Sequence, residues 1–373
     1  APAALDLLTL AAHLAPEPIP LTLFTVHPDR LPDPLATMAR DPLAFTELIR
    51  LLRRGGLARV EPGSLRLHRL VQALLRGQPV QYDMPTRAVR LLRAAVPADP
   101  WGDPSTWPTW RQLLPHILAT TDASRTVGPA GDDIAWLLDR TGLYLLARGE
   151  PASAQPLVER ALDQYRSVLG EDHPNTLTAA NTLAVDLHTL GRYEQARQLY
   201  EDTFTHRRRV LGEDHPDTLR TANNLAAVLA ELGRFEQARQ LDEDTYTHRR
   251  RLSGKDHPDT LVAATNLADD MHMLNYHEQA RQLAEDTLTR RRQVLGKDHP
   301  NTLITANNLA TYLGALNQHE QALQLDDDTL TRRRRVLGND HPHTLLSAGN
   351  LAADLRALGR DNEASQWEEW VRA

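Results

Sequence analysis

The triplet Asp172-His173-Pro174 returns four more times along the chain, and the interval between successive copies is 42 residues each time. A fixed period of this length is typical of a stacked helical array, in which each unit buries its apolar face only against its neighbours. Such arrays present long binding surfaces, so the period favours a binding protein. The other copies are Asp214-His215-Pro216, Asp256-His257-Pro258, Asp298-His299-Pro300 and Asp340-His341-Pro342.

Each 42-residue unit predicts two helices. In the first full copy, Ala180, Leu183 and Leu187 fall at helical spacing, which predicts a helix over 176–190 that begins near the proline. Gly191 ends that helix, and the later copies place Gly or Asn there, the two residues that best tolerate a left-handed cap. A second helix is predicted from Tyr193 to the glycine at 212.

The order L-A-x(2)-L-x(3)-G, followed by an alanine, resembles the tetratricopeptide repeat over residues 131–373. The 42-residue spacing and the N-N-L-A core are similar to the longer variant found in kinesin light chains and in many bacterial sensor proteins. A degenerate earlier copy, marked by Gly149, Ala154, Leu157 and Gly170, brings the total to about six helix pairs. The resemblance implies a mainly α fold with a right-handed α-solenoid of about six repeats.

Residues 1–78 have a different pattern. An apolar helix is predicted over 3–13, and a second over 42–54 with Leu43, Phe45, Leu48 and Leu52 on its apolar side. Residues 57–60 and 65–67 alternate around the turn at 61–64 as the strands of a hairpin do. A last helix over 68–76 completes three helices and a hairpin, so we expect a winged-helix-like domain.

The stretch Leu67-His68-Arg69-Leu70-Val71-Gln72 after the hairpin resembles the end of the winged-helix part of NB-ARC-type STAND ATPases, with Arg69 in place of the usual acid. The resemblance implies that His68 contacts the β-phosphate of bound ADP. No G-x(4)-G-K-[ST] occurs in the chain, so we expect ADP or ATP to bind an ATPase domain upstream of Ala1 and no cofactor in this chain. The resemblance to STAND ATPases also implies that partner binding promotes assembly into a homo-oligomer.

Residues 79–130 are expected to form a helical connector. A helix over 86–95 places Arg87, Arg90 and Arg93 on its outer face, and a proline-rich stretch with three tryptophans follows. The tryptophans could form an aromatic cage for a cation. Packing at the joint with the first repeat is the favoured interpretation, because large aromatic side chains most often serve packing.

The first helix of each repeat lines the expected binding groove. The position nine residues after each Asp-His-Pro histidine is threonine in the first copy and asparagine in the other four. An asparagine side chain both donates and accepts hydrogen bonds, so stacked asparagines can hold an extended peptide, although helix packing is the alternative. Groove positions that differ between copies can set specificity, and neutral variation is the alternative there. The predicted partner-binding residues are Asn224, Asn266, Asn308, Asn350, Arg220, Asp269, His272 and Arg356.

Two motifs receive structural interpretations. Each Asp-His-Pro stands alone in its loop, while zinc needs three or four ligands, so we expect a helix-start role and no metal site. Arginine runs at 207–209, 249–251, 290–292 and 332–335 follow acids by one or two turns, which predicts a self-neutralising outer surface. A basic stripe for nucleic acid or an acidic partner is the alternative.

Composition narrows the function. The chain has no cysteine, which fits a cytoplasmic protein, and its net charge of −7 argues against general nucleic-acid binding. No signal peptide or membrane-spanning run occurs. We therefore expect a non-catalytic sensor arm of a bacterial STAND-type ATPase that binds a peptide or protein. A DNA-linked regulator using Arg50, Arg53 and Arg54 is the alternative, and an enzyme ranks last because no catalytic set can be assembled.

Overall fold

The computed structural model describes residues 2–78, 82–100, 103–122 and 130–372. The expected mainly α class is confirmed, since the described part contains nineteen α-helices and one small antiparallel sheet. By contacts the chain divides into two compact units, Ala1–Arg192 and Tyr193–Ala373. This division is coarser than the expected three-part organisation at 1–78, 79–130 and 131–373, which stays a prediction. None of the described helices is both long and apolar enough to span a bilayer.

The first unit begins with helices around a three-stranded antiparallel sheet. Its strands are β1 (Ile19–Pro20), β2 (Ala58–Glu61) and β3 (Ser64–Leu67), and their order in the sheet is β1-β3-β2. The hairpin β2–β3 turns at Gly63, which has a φ of 76°. The helix predicted over 42–54 has the same bounds in the structure. The elements are α1 (Pro2–Ala12), β1 (Ile19–Pro20), α2 (Thr22–Thr25), α3 (Leu35–Arg40), α4 (Pro42–Arg54), β2 (Ala58–Glu61), β3 (Ser64–Leu67) and α5 (Arg69–Arg76).

One apolar position of α4 was predicted wrongly. Leu43 is 80% exposed, whereas Phe45, Leu48, Ile49 and Leu52 are buried. The four buried residues follow the i, i+3, i+4, i+7 spacing of one helix face, and Leu43 lies on the opposite face. One face of α4 therefore packs into the core of this region, and the Leu43 side chain in its first turn is exposed to solvent.

Helix α5 completes the end of α1. The Gln72 Nε2 donates to the Leu14 carbonyl at 3.2 Å, and the Arg76 Nε donates to the Ala12 carbonyl at 2.7 Å. Carbonyls at the end of a helix lack a partner within the helix, so these two side chains satisfy groups that would otherwise need water. The contact fixes the direction in which the chain leaves the sheet.

The predicted connector contains α6 (Met84–Ala95) and α7 (Trp107–Thr120). Trp110 is fully buried and stacks on Tyr144 with ring centroids 5.2 Å apart, and Trp107 meets the same ring edge-on. These two tryptophans therefore serve packing, as expected, while Trp101 lies outside the described residues.

The arginines of α6 are not all on a free outer face. Arg90 Nε lies 3.2 Å from Asp133 Oδ2, and Arg93 Nη1 lies 3.3 Å from Asp132 Oδ2. The two aspartates open the next helix, α8 (Gly131–Ala147). Arg90 is exposed, as predicted, whereas Arg93 is half-buried. Both pair with acids that come from 39 to 43 residues later in the chain.

The first unit ends with repeat helices. The helices are α8, α9 (Pro151–Leu169) and α10 (Pro174–Thr189). In the α8–α9 pair, a Cβ added at Gly142 would lie 2.2 Å from Val158 Cγ2, so only glycine fits there. Later copies have alanine at that register.

The second unit contains the helices α11 (Tyr193–Leu211), α12 (Pro216–Glu231), α13 (Phe235–Ser253), α14 (Pro258–Met273), α15 (His277–Val294), α16 (Pro300–Ala315), α17 (His319–Leu337), α18 (Pro342–Ala357) and α19 (Asp361–Arg372). Each helix contacts the next. In addition, α14 contacts both α12 and α16, and α16 contacts α18, so these four helices lie side by side.

The helix ends of this unit are set by local chemistry, as the sequence predicts. The histidine of each Asp-His-Pro triplet caps its helix, because its Nδ1 accepts the backbone N–H two residues later at 3.1–3.2 Å. The proline occupies the first turn, where no N–H is needed. Two residues after the end of each of these helices the chain has a positive φ, at Gly233, Asn275, Asn317 and Gly359.

Candidate partner-binding site

The four predicted asparagines share one register on the side-by-side helices. They are half-buried, and each comes nine residues after the histidine that caps its helix. Because α12, α14, α16 and α18 contact one another in turn, the four positions follow one line across them. We call this line the asparagine row, and it consists of Asn224, Asn266, Asn308 and Asn350.

Two residues of the asparagine row are bonded to their own protein. The Asn308 Nδ2 donates to Asp269 Oδ1 at 2.8 Å, and the Asn224 side chain hydrogen-bonds the Tyr200 hydroxyl. The side chains of Asn266 and Asn350 make no hydrogen bond within the described residues. Helix packing therefore accounts for part of the row, and the other two amides have no hydrogen-bond partner in the described part of the chain.

Asp269 is the centre of a polar cluster between α14 and α16. Its Oδ1 also accepts the Tyr312 hydroxyl, and the Tyr312 ring lies 4.8 Å from the His272 ring. Nδ1 of His272 lies 3.0 Å from Nδ1 of His277, so one of these nitrogens carries the proton. The structure thus brings the predicted Asp269, His272 and Asn308 together.

The cluster has perturbed acid–base properties. Burial raises the pKa of Asp269 to about 6, although the hydrogen bonds from Tyr312 and Asn308 oppose the shift. Burial lowers the pKa of His272, and the charge of His277 lowers it further. Sequence reasoning missed Tyr312 and His277. Tyr312 follows Asn308 by four residues, one helical turn, and that spacing was the signal that could have found it.

The two predicted arginines lie apart from this cluster. Arg220 Nη2 is 2.6 Å from Asp217 Oδ1, and Arg356 Nη2 donates to Glu368 Oε2 at 2.8 Å. Both arginines are exposed and paired within their own repeat. Their role in partner binding stays a prediction.

The sequence predicts that the arginine runs lie on the outer surface, but at least one arginine of each run is buried or half-buried. Arg207, Arg291 and Arg333 are 1–2% exposed, and Arg249 at the same register is half-buried. The Arg291 Nη1 donates to the Asn301 carbonyl at 2.6 Å and its Nη2 to the Leu261 carbonyl at 2.9 Å. A run of three spans 200° of a helix, so one member points inward and reaches the neighbouring helices.

Other arginines of these runs do neutralise nearby acids. Arg290 lies 2.7 Å from Asp256 and from Asp286, and Arg332 lies 2.9 Å from Asp298. Asp256 and Asp298 belong to Asp-His-Pro triplets, so the acid of the triplet pairs with the end of the following repeat. This part of the surface prediction is confirmed.

A set of buried aspartates was missed by sequence reasoning. Asp242 on α13 accepts a hydrogen bond from Asn223 Nδ2 at 3.2 Å, and burial with the charge of Asp270 raises its pKa to about 8. The pKa of Asp270 is raised to about 7 by burial and by Asp269. Two repeats later, burial and the charge of Asp354 raise the pKa of Asp326 to about 8. We call Asp242, Asp270, Asp326 and Asp354 the seam acids.

In the first unit, His68 caps α5. Its Nδ1 accepts the Leu70 N–H at 3.3 Å, and the side chain is exposed. Arg69, which follows it, is exposed as well. The histidine therefore has a local structural role, and its contact with a nucleotide stays a prediction.

The helix proposed to read DNA carries few free basic groups. Arg50 pairs with Glu47 one turn earlier, and only Arg53 and Arg54 remain exposed without an ion pair among the described residues. The same helix exposes Leu43 and Leu51. Apolar side chains at these positions do not favour the DNA-linked alternative.

Comparison with known families identifies the repeats. A tetratricopeptide repeat model matches residues 132–207, 186–251 and 219–293, and a second tetratricopeptide repeat model matches residues 302–343. The human mitochondrial protein "Tetratricopeptide repeat protein 19" is 37% identical over 59 residues, which are 16% of this chain and 16% of that protein. The chain thus matches only about a sixth of that relative's length.

Solved structures agree on the fold of the repeats. A putative kinesin light chain from Podosopora anserina with nearly identical repeats is 20% identical, with a TM-score of 0.50, over 55% of this chain and 97% of that one. BtubC from P. vanneervenii is 17% identical, with a TM-score of 0.51, over 60% and 89%. A STAND protein with a tetratricopeptide repeat sensor from Pyrococcus horikoshii is 12% identical, with a TM-score of 0.45, over 98% and 62%. Since the two repeat models together match more than half of its residues, the chain belongs to the tetratricopeptide-repeat proteins.

Proposed function

We propose that this chain is the non-catalytic sensor arm of a STAND-type signalling ATPase, and that its repeats bind an extended peptide or protein segment along the asparagine row. The observation that carries the proposal is the row itself. Asparagines recur at one register on four side-by-side helices, and the amides of Asn266 and Asn350 have no partner within the described residues. Tetratricopeptide repeats are typically non-catalytic interaction modules, which supports a binding role.

The chemistry of asparagine suits a peptide ligand of unspecified sequence. Each amide offers two N–H donors and a carbonyl acceptor, and each residue of an extended peptide offers one donor and one acceptor. Residues beside the row add selectivity. In this proposal Asp269 and His272 contact ligand side chains between α14 and α16, and Arg220 and Arg356 act on either side of them.

The N-terminal region is proposed to relay partner binding to an upstream ATPase domain. Its order of a helix, a strand, helices and a hairpin supports a winged-helix domain over 1–78. The bonds from α5 to the end of α1 would let a movement of one helix carry the other. The exposed ring of His68 is proposed to meet the phosphate of ADP held by that upstream domain, in the cytoplasm.

The binding proposal is tested with Asn266→Ala combined with Asn350→Ala. These residues are chosen because loss of Asn308 would also break its bond to Asp269. A random peptide library displayed on phage supplies ligands, and fluorescence polarisation measures their affinity. We expect the double variant to bind about tenfold more weakly, since two hydrogen bonds are worth roughly 0.5–1.5 kcal/mol each.

The matched control is Asn339→Ala, which removes an exposed asparagine from the loop between α17 and α18. It should bind as the wild type does, and all variants should melt at nearly the same temperature. Equal affinity of the double variant and the wild type for every selected peptide would reject the asparagine row as the binding site.

A further inference from the structure

The carboxyl groups of the second unit fall into two classes. On the outer surface they are paired with arginines, as in Glu236–Arg239 at 2.7 Å, Asp286–Arg290 at 2.7 Å and Asp298–Arg332 at 2.9 Å. The seam acids are 1–8% exposed, and none lies in an ion pair with lysine or arginine within the described residues. Many outer carboxylates are therefore neutralised by arginine, whereas the seam acids have no arginine or lysine partner within the described residues.

The seam acids form two equivalent pairs. Asp242 on α13 is bonded to Asn223 on α12 and is affected by the charge of Asp270 on α14, so the first pair lies where these three helices meet. Asp326 on α17 is affected in the same way by Asp354 on α18. Each residue of the second pair follows its counterpart by 84 residues, which is two repeats.

Buried acceptors around the first pair lack donors. The Asn223 side chain is 8% exposed and gives its amide nitrogen to Asp242, but its Oδ1 has no hydrogen-bond partner in the described part of the chain. Asp270 Oδ2 and Asp326 Oδ1 are unpartnered too. Because buried acceptors are normally satisfied, three of them along one seam indicate that a donor is missing.

The charged groups near the seam acids are already engaged. Arg239 pairs with Glu236 and Glu243, and Arg249 pairs with Asp259 at 3.1 Å. Near the second pair, Arg333 Nη1 donates to the His343 carbonyl at 2.8 Å and to Ser347 and Asn307. His319 Nδ1 lies 3.1 Å from Asp354 Oδ1 and is the only titratable base that contacts a seam acid among the described residues.

Small residues lie beside the pairs. Gly314 on α16 is next to the second pair, since a Cβ added there would contact Asp354 Oδ1 at 3.5 Å. The residue at the same register two repeats earlier is Ala230, while the repeat between them has His272. The alternation of small and large residues thus follows the alternation of the acid pairs.

We propose that the two pairs of seam acids are subsites for cationic side chains, so that the partner is an extended peptide with two basic residues about five or six positions apart. This inference rests on the proposed function, since it requires a peptide on α12 to α18. The pairs are separated by two helix-to-helix distances, about 16–20 Å, and an extended chain advances about 3.3 Å per residue.

Neutralisation by a ligand explains the buried acids. In the empty protein, burial and mutual repulsion raise the pKa values of Asp242 and Asp326 to about 8, so each pair holds a proton at neutral pH. A lysine or arginine of the ligand would donate to the unpartnered oxygens and release that proton. The buffer takes up the released proton, so the measured binding enthalpy should change with the ionisation enthalpy of the buffer. Isothermal titration calorimetry in several buffers detects this dependence.

The test uses labelled twelve-residue peptides with two lysines separated by two to ten positions in a neutral host, together with lysine-free and glutamate-containing peptides. Fluorescence polarisation should show the tightest binding at a separation of five or six, at least tenfold tighter than the lysine-free host. The variants Asp242→Asn with Asp270→Asn, and Asp326→Asn with Asp354→Asn, should each lose about tenfold and abolish the optimum. Asparagine keeps the side-chain shape and removes a buried charge, so folding should be preserved.

The matched control is Asp286→Asn with Asp298→Asn, which removes two carboxylates from the outer surface and should leave binding unchanged. Binding without an optimal separation, or equally weakened by the control, would overturn the inference. If lysine-free peptides bind just as tightly and depend on Asn266 and Asn350, the inference fails and the proposed function stands. If no peptide binds, both are rejected.

Discussion

The repeats of the second unit bury two kinds of charge, and the two are treated differently. Arg291 is 2% exposed and reaches the Asn301 carbonyl, the Leu261 carbonyl and the Thr305 hydroxyl at 2.6–2.9 Å, with only its Nε left over. Asp326, 1% exposed, has an oxygen with no partner in the described part of the chain. The two residues are almost equally buried and differ in their hydrogen bonds. Hydrogen bonding, and not burial, therefore distinguishes a charged group that holds the fold together from one that we propose binds a ligand.

The comparison predicts the largest loss of stability at a buried arginine. Arg291→Met keeps the length of the side chain but removes its charge-assisted hydrogen bonds to the Asn301 carbonyl, the Leu261 carbonyl and the Thr305 hydroxyl. We expect the free energy of unfolding to fall by about 2–4 kcal/mol, because three buried charge-assisted hydrogen bonds are lost. Urea unfolding followed by circular dichroism measures the change.

Arg250→Met is the matched control, because Arg250 is exposed in the equivalent run one repeat earlier. It should cost less than about 0.5 kcal/mol. If both substitutions have the same effect, the buried arginines are not the structural bonds that the geometry indicates.

The seam acids predict an intermediate effect that depends on pH. Their pKa values in the folded protein, about 8 for Asp242 and Asp326 and about 7 for Asp270, lie above the value in the unfolded chain. The folded state therefore holds protons that the unfolded state releases, and stability is lost as pH rises through about 7 to 8. Each unit of pKa shift is worth about 1.4 kcal/mol, so even one unit for each of the two pairs makes the protein at least about 3 kcal/mol less stable at pH 9 than at pH 6.

The same measurement on Asp242→Asn combined with Asp326→Asn provides the control. Asparagine does not titrate, so the slope of stability against pH should flatten and stability at pH 8 should increase. A protein whose stability stays constant between pH 6 and pH 9 would show that the seam acids remain charged. Their missing donor would then have to be water.

Sequence reasoning captured the features that depend on local chemistry. The 42-residue period is visible directly in the sequence. Each helix start depends on a histidine and a proline, and each helix end on a nearby Gly or Asn such as Asn275, so a few neighbouring residues determine both. The asparagine row followed from register alone. The bond from Asn308 to Asp269 did not, because it joins residues 39 apart on two helices.

The missed features depend on which helix face packs inward. Three successive arginines look alike in a sequence, and only the packing of α15 against its neighbours selects Arg291 for burial. The seam acids repeat every 84 residues, so the stronger 42-residue pattern hides them: the intervening copies have Ala284 and Tyr312 at the corresponding registers. Leu43 was assigned to the core because it is apolar, although its angular position on α4 places it outside.

The smallest effect is expected at the outer surface, where the comparison between the two classes of acid is sharpest. Asp298 lies 2.9 Å from Arg332 and 2.6 Å from Arg335, so Asp298→Asn removes two ion pairs and leaves Arg332 paired with Asp328. The helix start should survive, because His299 and not Asp298 caps α16. We expect a small loss of stability in urea unfolding at low salt and almost none in 1 M salt, since exposed pairs are screened. A salt-independent loss as large as that of Arg291→Met would mean that the outer pairs, like the buried arginines, hold the repeats together. The contrast between paired outer acids and unpaired seam acids would then reflect stability on both sides.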